Sequence, residues 1–289
     1  MVQVIRAESA GFCMGVDLAL RKLERLVQNG SAARPVCTLG PIIHNPQVLK
    51  HYADLGVCEV ETPEELPRDG SAVIRAHGIP RDTQERLAQL GVHIVDATCP
   101  KVKKAQMLIQ DRTANEGRQL ILFGEPEHPE VAGLLSYARG QAEVIESVAR
   151  FGQLSLHPGK PYVLAAQTTQ DRAEYNRLIS RVQGELGSEV PVLDTICDTT
   201  RERQREAADI ASRVDIMVVV GGYNSGNTRR LAQVVRALGT TCFHVEQAAE
   251  LEPKDFSQGQ RIGLTAGAST PKGIIDQVEA RIRSFVFAS

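Results

Sequence analysis

Three stretches of this chain open in the same way, and that repetition limits the folds open to it. In each, a strand-like segment ends on a cysteine: AGFCMGVDLAL at Cys13, VDATCPKVKKA at Cys99 and LDTICDTTRER at Cys197. A second kind of motif follows each one, a strand ending in glycine, then a polar loop and a helix. These are TLGPIIHNPQVLKHYADLG, LFGEPEHPEVAGLLSYARG and VVGGYNSGNTRRLAQVVRALG. A third kind closes each set with a strand, a small-residue turn and a helix: VIRAHGIPRDTQERL, VLAAQTTQDRAEYNRL and GLTAGASTPKGIIDQV. The offsets agree. His44, His128 and Asn227 lie 31, 29 and 30 residues after their cysteines, and His77, Thr168 and Ser269 lie 64, 69 and 72 after them. Any α/β chain repeats strand, turn and helix at short intervals, but that alone gives no reason for a cysteine to open each set.

The intervening pattern agrees. Apolar runs such as AVIRA, QLILFG, YVLAAQ, IMVVVGG and RIGLTAG read as buried strands. TQERLAQLG, EYNRLISRVQGEL, TRERQREAADIASRV and TRRLAQVVRALG read as amphipathic helices. Such alternation predicts α/β layering with mainly parallel sheets. The expected architecture is three α/β units related by a pseudo-threefold axis, spanning 14–98, 99–196, and 197–289 together with 1–13. The strand before Cys13 is assigned to the third unit. Ligands of open α/β sheets bind outside the carboxyl ends of strands, so three inward-facing units would gather nine motifs around one pocket.

Composition narrows the function classes. The chain has 289 residues, 42% of them hydrophobic and 24% charged, which is ordinary for a globular protein. A net charge of -2 argues against a nucleic-acid binder. Lys and Arg are scattered, so no polybasic membrane patch is expected, and no apolar run approaches the roughly 18 residues of a membrane span. The opening MVQVIRAESAGFC lacks the pattern of a signal or transit peptide, so a cytoplasmic location is expected.

Six cysteines and no CxxC pair weigh against a zinc ribbon, a thioredoxin site or a ferredoxin motif. In a cytosolic chain cysteines serve as small hydrophobes, nucleophiles or metal ligands rather than disulfides. Cys13, Cys99 and Cys197 are therefore candidate ligands from distant parts of the chain. Three thiolates would leave one position of an iron–sulfur cluster open, the mark of a catalytic site. Buried core cysteines, or a three-thiolate zinc site with a fourth ligand, are the alternatives. Cys37, Cys58 and Cys242 lie outside the repeat and read as packing residues.

Of seven histidines, His44, His77 and His128 fall on repeated loops, whereas His51, His93, His157 and His244 do not. The loop residues sit just before or inside a helix's first turn, where free N–H groups and the helix dipole favour an anion. Plain N-capping explains any one loop, but less naturally a set with three histidines. GGYNSGN matches neither nucleotide-binding glycine motif. Glu130, two residues after His128, is the one carboxylate beside a repeated loop without an equivalent in the other sets. It reads as a proton donor, or as an acid stabilising a helix terminus.

Taken together and in order, GFCMGV, GPIIHNPQV, AHG, DATCP, HPEVAG, AQTT, the cysteine of DTICDTTRERQ, NSGNTRRL and TAGASTP resemble the 4-hydroxy-3-methylbut-2-enyl diphosphate reductase (IspH or LytB) family over nearly the whole chain. The resemblance implies an oxidoreductase of isoprene biosynthesis, dehydroxylating an allylic diphosphate to isopentenyl and dimethylallyl diphosphate in the last step of the non-mevalonate pathway. It implies one 4Fe-4S cluster on Cys13, Cys99 and Cys197. It also implies diphosphate binding by His44, His77, His128, Ser225, Asn227 and Ser269, with Thr168 near the substrate hydroxyl and Glu130 supplying protons. Gly226 departs from the second serine of many members. With no flavin or nicotinamide motif, a one-electron donor such as ferredoxin or flavodoxin is implied. A cluster-dependent hydro-lyase and a cluster-bearing sensor are the other readings of the same residues.

Overall fold

The computed structural model describes residues 3–28, 35–157 and 159–285. The outer ends of the third sequence unit, residues 1, 2 and 286–289, lie outside that range. Strands and helices alternate: β1 (Gln3–Arg6), α1 (Met14–Gln28), β2 (Val36–Leu39), α2 (Pro46–Asp54), β3 (Cys58–Val60), β4 (Ser71–Ile74), α3 (Arg81–Gln89) and β5 (His93–Asp96) come first. Then follow α4 (Pro100–Ala114), β6 (Gln119–Phe123), α5 (Pro129–Tyr137), β7 (Ala142–Ile145), β8 (Tyr162–Ala166) and α6 (Arg172–Leu186). The last set is α7 (Asp198–Ala211), β9 (Ile216–Val220), α8 (Gly226–Ala237), β10 (Thr241–Val245), β11 (Arg261–Ala266) and α9 (Lys272–Arg283).

These strands form three parallel sheets with orders β3-β2-β4-β5, β7-β6-β8 and β1-β11-β9-β10. The three orders are one order. In each set the strand of the second motif is flanked on one side by a short edge strand and on the other by the strand of the third motif. Beyond that third-motif strand lies the segment leading to a cysteine: β5 beside β4, β1 beside β11, and, at a single Leu164–Val192 bridge, the segment before Cys197 beside β8. The mainly parallel α/β class expected from the sequence is therefore present. β1 joins the sheet of the last third of the chain.

By compactness the chain divides into one unit of residues 1–16, 44–50 and 198–289, and another of 17–43 and 51–197. In the first unit β9 is buried on both faces. Val218 and Val220 pack with Leu264 and Ile275, while Met217 and Val219 pack with Leu231 and Val235. In the second unit β6 behaves likewise, with Ile121 and Phe123 on one face and Leu120 and Leu122 on the other. A side chain fully buried in this way is worth about 1.5–3 kcal/mol, which explains why the central strands read as continuous apolar runs.

One expectation is corrected. Cys37 and Cys58 are not free packing residues but a disulfide, with Cα atoms 4.4 Å apart. They are register partners on the adjacent strands β2 and β3, which brings the two side chains together. Cys37 also packs in the core of its sheet with Leu39, Val60 and Ile74. Cys13, Cys99, Cys197 and Cys242 are in no disulfide. Thiol titration of denatured, cluster-free protein should therefore give four reactive thiols before reduction and six after it. Six before reduction would mean that the β2–β3 cysteines are not joined.

Candidate active site

Each cysteine of the repeat stands at a helix start. Cys13 precedes α1, Cys99 is the N-cap of α4, and Cys197 precedes α7. All three are half-buried. The positive end of the helix dipole faces such a position, which suits a thiolate or an anionic cluster. In the smaller unit Val16 N–H reaches Cys13 Sγ at 3.5 Å. Cys242 differs: it lies on β10, and burial pushes its thiol pKa up. Residues with the donor chemistry for a metal cluster are thus Cys13, Cys99 and Cys197, and their surroundings fit that role.

In the larger unit the backbone of Cys197 donates from N–H to Thr168 O at 3.0 Å. Thr168 in turn donates to both oxygens of Glu130, from its N–H to Oε1 at 2.6 Å and from Oγ1 to Oε2 at 3.0 Å. Glu130 N–H donates to His128 Nδ1 at 3.1 Å. That bond assigns the tautomer: with Nδ1 accepting, Nε2 carries the proton and can donate to an anion. The His128 ring meets the His77 ring edge-on, 5.4 Å between centroids. Ala76, beside His77, accepts from the Cys99 N–H at 2.9 Å. Six residues singled out in the sequence therefore occupy one connected chain.

Glu130 is only 2% exposed. Burial drives its carboxyl pKa up to about 7 against the hydrogen bonds from Thr168, with the Glu125 charge adding to the rise. A carboxyl with that value holds a proton near neutrality and can release it. Buried residues that the sequence reading passed over support this group. Gln167 Oε1 accepts from Glu125 N–H at 3.0 Å and from Gln170 Nε2 at 3.1 Å. It thereby fixes the loop that delivers His128. Only the adjacency of Gln167 to Thr168 in AQTTQ marked it.

In the smaller unit Ser225 is the N-cap of α8, and its Oγ accepts from Thr228 N–H at 3.3 Å. Its own hydroxyl proton remains to donate. Asn227 Nδ2 is a buried donor with no protein acceptor among the described residues. Ser269 Oγ donates to His44 O at 3.1 Å, which joins the second and third motif loops. That approach depends on Gly222, where a Cβ would lie 2.7 Å from His44 O. Cys13 N–H donates to Ala268 O at 3.1 Å, so the cysteine and Ser269 loops are also joined. Asn45 adds a signal the sequence reading passed over: its Oδ1 caps α2 at Val48 N–H, and its Nδ2 is buried without a partner among the described residues. The remaining histidines stand apart. His51, His93 and His157 are exposed, and His244 is bound to Gly221 O at 2.9 Å.

The fold and these residues define a parallel α/β protein with cysteines at helix starts, histidine, serine and asparagine side chains on strand-to-helix loops, and one buried carboxyl. The LytB protein family model matches residues 4–283, and the chain belongs to that family. The 4-hydroxy-3-methylbut-2-enyl diphosphate reductase of Desulfovibrio desulfuricans is 53% identical over 287 residues, 98% of this chain and 100% of that one. The reductase of that name in Aquifex aeolicus is 40% identical, over 98% of this chain and 96% of its own. A solved (E)-4-hydroxy-3-methyl-but-2-enyl diphosphate reductase, described as the terminal enzyme of the non-mevalonate pathway, is 40% identical with a TM-score of 0.69 and covers 98% of this chain and 99% of its own. The E-1-hydroxy-2-methyl-but-2-enyl-4-diphosphate reductase of Plasmodium falciparum shares the fold at a TM-score of 0.90 and 24% identity, over 96% of this chain and 87% of its own.

The raised Glu130 pKa has a thermodynamic signature. Between the ordinary value of 4.5 and about 7 the folded chain keeps a proton that the unfolded chain releases. Stability from this group is thus full below the lower value and is lost as pH rises through the window. Glu130→Gln carries no such proton. Its stability relative to the parent should rise across that window by up to about 3 kcal/mol, at 1.36 kcal/mol per unit. Melting curves of both proteins from pH 4.5 to 8 measure this, and a flat difference would mean that the carboxyl is ionised throughout.

Proposed function

We infer that this chain reductively dehydroxylates 4-hydroxy-3-methylbut-2-enyl diphosphate to isopentenyl and dimethylallyl diphosphate, the last step of the non-mevalonate pathway. The observation that carries this is the buried Glu130 carboxyl, held by Thr168 and linked through it to the backbone of Cys197. The sequence similarity supports the same reading. Cys13, Cys99 and Cys197 are proposed as the ligands of one 4Fe-4S cluster, around which the three sequence units, 14–98, 99–196 and 197–289 with 1–13, would be arranged. When bound, the cluster supplies single electrons and Lewis-acid polarisation.

The roles of the side chains follow from their chemistry. His44, His77, His128, Ser225, Asn227 and Ser269 bind the diphosphate, as neutral donors supplemented by the first-turn N–H groups of their helices. Thr168 Oγ1 orients the substrate hydroxyl end and shares its hydrogen with Glu130. Glu130 gives a proton to the hydroxyl, which leaves as water. A second proton and two electrons, delivered singly by an external carrier such as ferredoxin or flavodoxin, complete the alkene. No helix of the described residues is long and apolar enough to cross a membrane, and a cytoplasmic site of action is proposed.

Three outcomes are expected. Serine at Cys13, Cys99 or Cys197 should abolish the brown chromophore and turnover, whereas Cys242→Ala should spare both. Alanine at His44, His77, Ser225, Asn227 or Ser269 should weaken substrate binding and pyrophosphate competition by about 1.5–3 kcal/mol per lost charge-assisted bond, with the cluster retained. Glu130→Gln should keep diphosphate affinity and cluster content but lose about two orders of magnitude or more in turnover. Anaerobic assay with a strong one-electron reductant checks all three. Turnover without any reductant would identify a hydro-lyase instead, and wild-type rates in Glu130→Gln would remove that acid from the mechanism.

A further inference from the structure

Among the described residues only two side chains of the Asp, Glu, Lys and Arg types are buried. One is Glu130. The other is Arg203, 2% exposed, on α7 of the smaller unit. Its guanidinium spans two backbone carbonyls. Nη2 donates to Gly11 O at 2.7 Å and Nη1 to Ala266 O at 3.1 Å. Gly11 lies two residues before Cys13, and Ala266 closes β11 three residues before Ser269. Arg203 thus grips the cysteine loop and the Ser269 loop at once.

One turn further along the same helix face, Glu206 holds the segment just upstream. It accepts from Glu8 N–H at 2.6 Å, from Ser9 N–H at 3.0 Å and from the Ser9 hydroxyl. Gly11 itself has φ +119, a left-handed value that favours glycine. The turn leading to Cys13 is therefore specified by its own backbone and by two side chains of α7.

Two carbonyls do not require a charged partner, since a neutral amide can satisfy them. Burying a guanidinium is costly, and unlike Lys or His it cannot shed its proton near neutrality. Burial pushes the Glu206 carboxyl pKa up, but the hydrogen bonds from Ser9 and Glu8 hold it below the usual range, and the Arg203 charge adds only the smallest share. Glu206 is engaged by three other donors, however, and is not itself buried. A fixed positive charge behind the Cys13 loop gains a use if that cysteine binds an anionic group.

We propose that Arg203 is a positioning residue for Cys13 whose buried charge also raises the reduction potential of the cluster that Cys13 helps to hold. This rests on the reading of Cys13 as a cluster ligand. Reduction adds one electron and makes the cluster more negative, so a nearby fixed cation favours the reduced form. The guanidinium fork, with two donors in one plane, also fixes the loop geometry in a way a single ammonium cannot.

The test compares reconstituted wild type, Arg203→Lys and Arg203→Met, with three readouts: iron per chain, the midpoint potential from an EPR-monitored redox titration, and the rate of iron release to a chelator. Arg203→Met should have a more negative midpoint potential and faster iron release. Arg203→Lys cannot span both carbonyls, so its iron should be released faster than that of the wild type whether or not its buried amine stays charged. An Arg203→Met protein with full iron and an unchanged potential overturns the charge role. If Arg203→Met does not fold, Arg203→Gln supplies the neutral variant, and a wild-type potential there overturns the charge role; wild-type iron release in Arg203→Lys overturns the clamp. A wild-type chain that takes up no cluster rejects the cluster reading itself. A wild type that loads and titrates normally, with variants that match it, rejects this inference alone.

Discussion

A parallel strand delivers its chain at the carboxyl end of the sheet, and the helix that carries the chain back starts from there. Within each unit the candidate residues sit at such junctions, except that Cys197 follows a segment paired only by one bridge. Cys13 follows β1, His44 follows β2, His77 follows β4, Cys99 follows β5, His128 follows β6 and Thr168 follows β8. Asn227 and Ser269 follow β9 and β11 in the same way. The constraint is topological before it is chemical. One strand order used three times supplies repeated helix starts whose unpaired N–H groups suit thiolates and phosphates. Few lysines are then needed, which agrees with the near-neutral charge of the chain.

Against that background Glu130 and Arg203, the two buried side chains of the Asp, Glu, Lys and Arg types among the described residues, answer the same cost in opposite ways. Glu130 meets burial by holding its proton, and a carboxyl half-titrated near neutrality is what a proton donor needs. Arg203 cannot do this, and its charge is instead spread over two carbonyls. The first device suits the proton donor proposed above, a group that would change state during turnover. The second makes a group that does not change at all, which suits a fixed field and a fixed loop.

The sequence disclosed the parts of this fold that repeat or alternate. The central strands β4, β6, β8, β9 and β11 and the helices α3, α6, α7 and α8 were legible because both faces of those strands are buried and those helices have a wet and a dry side. The edge strands β3, β7 and β10 were not, since three to five residues with mixed exposure carry no period. The strand expected before Cys197 has shrunk to one bridge at Val192. The Cys37–Cys58 pairing escaped because it depends on register between neighbouring strands, which no spacing encodes. The site residues were legible through their offsets. Gln167 and Arg203 were not, because their partners are backbone atoms distant in sequence.

Gly226 shows how a departure from the family pattern can be absorbed. It is the first residue of α8, directly after the N-cap Ser225, where the family resemblance implies a second hydroxyl. Removing that hydroxyl leaves the functions of its neighbours in place. Ser225 uses its oxygen lone pair on Thr228 N–H and keeps its hydrogen for an anion. Asn227 presents a buried amide donor with no protein acceptor among the described residues, and the backbone N–H groups of the first turn are common to any side chain at this position. A hydroxyl at residue 226 would be one donor among several that converge from the same helix start. The anion site proposed for this unit would therefore be carried by the junction itself more than by any single side chain on it. That is also why the three loops can differ in their side chains, HN, HP and SGN, and still suit the same kind of ligand.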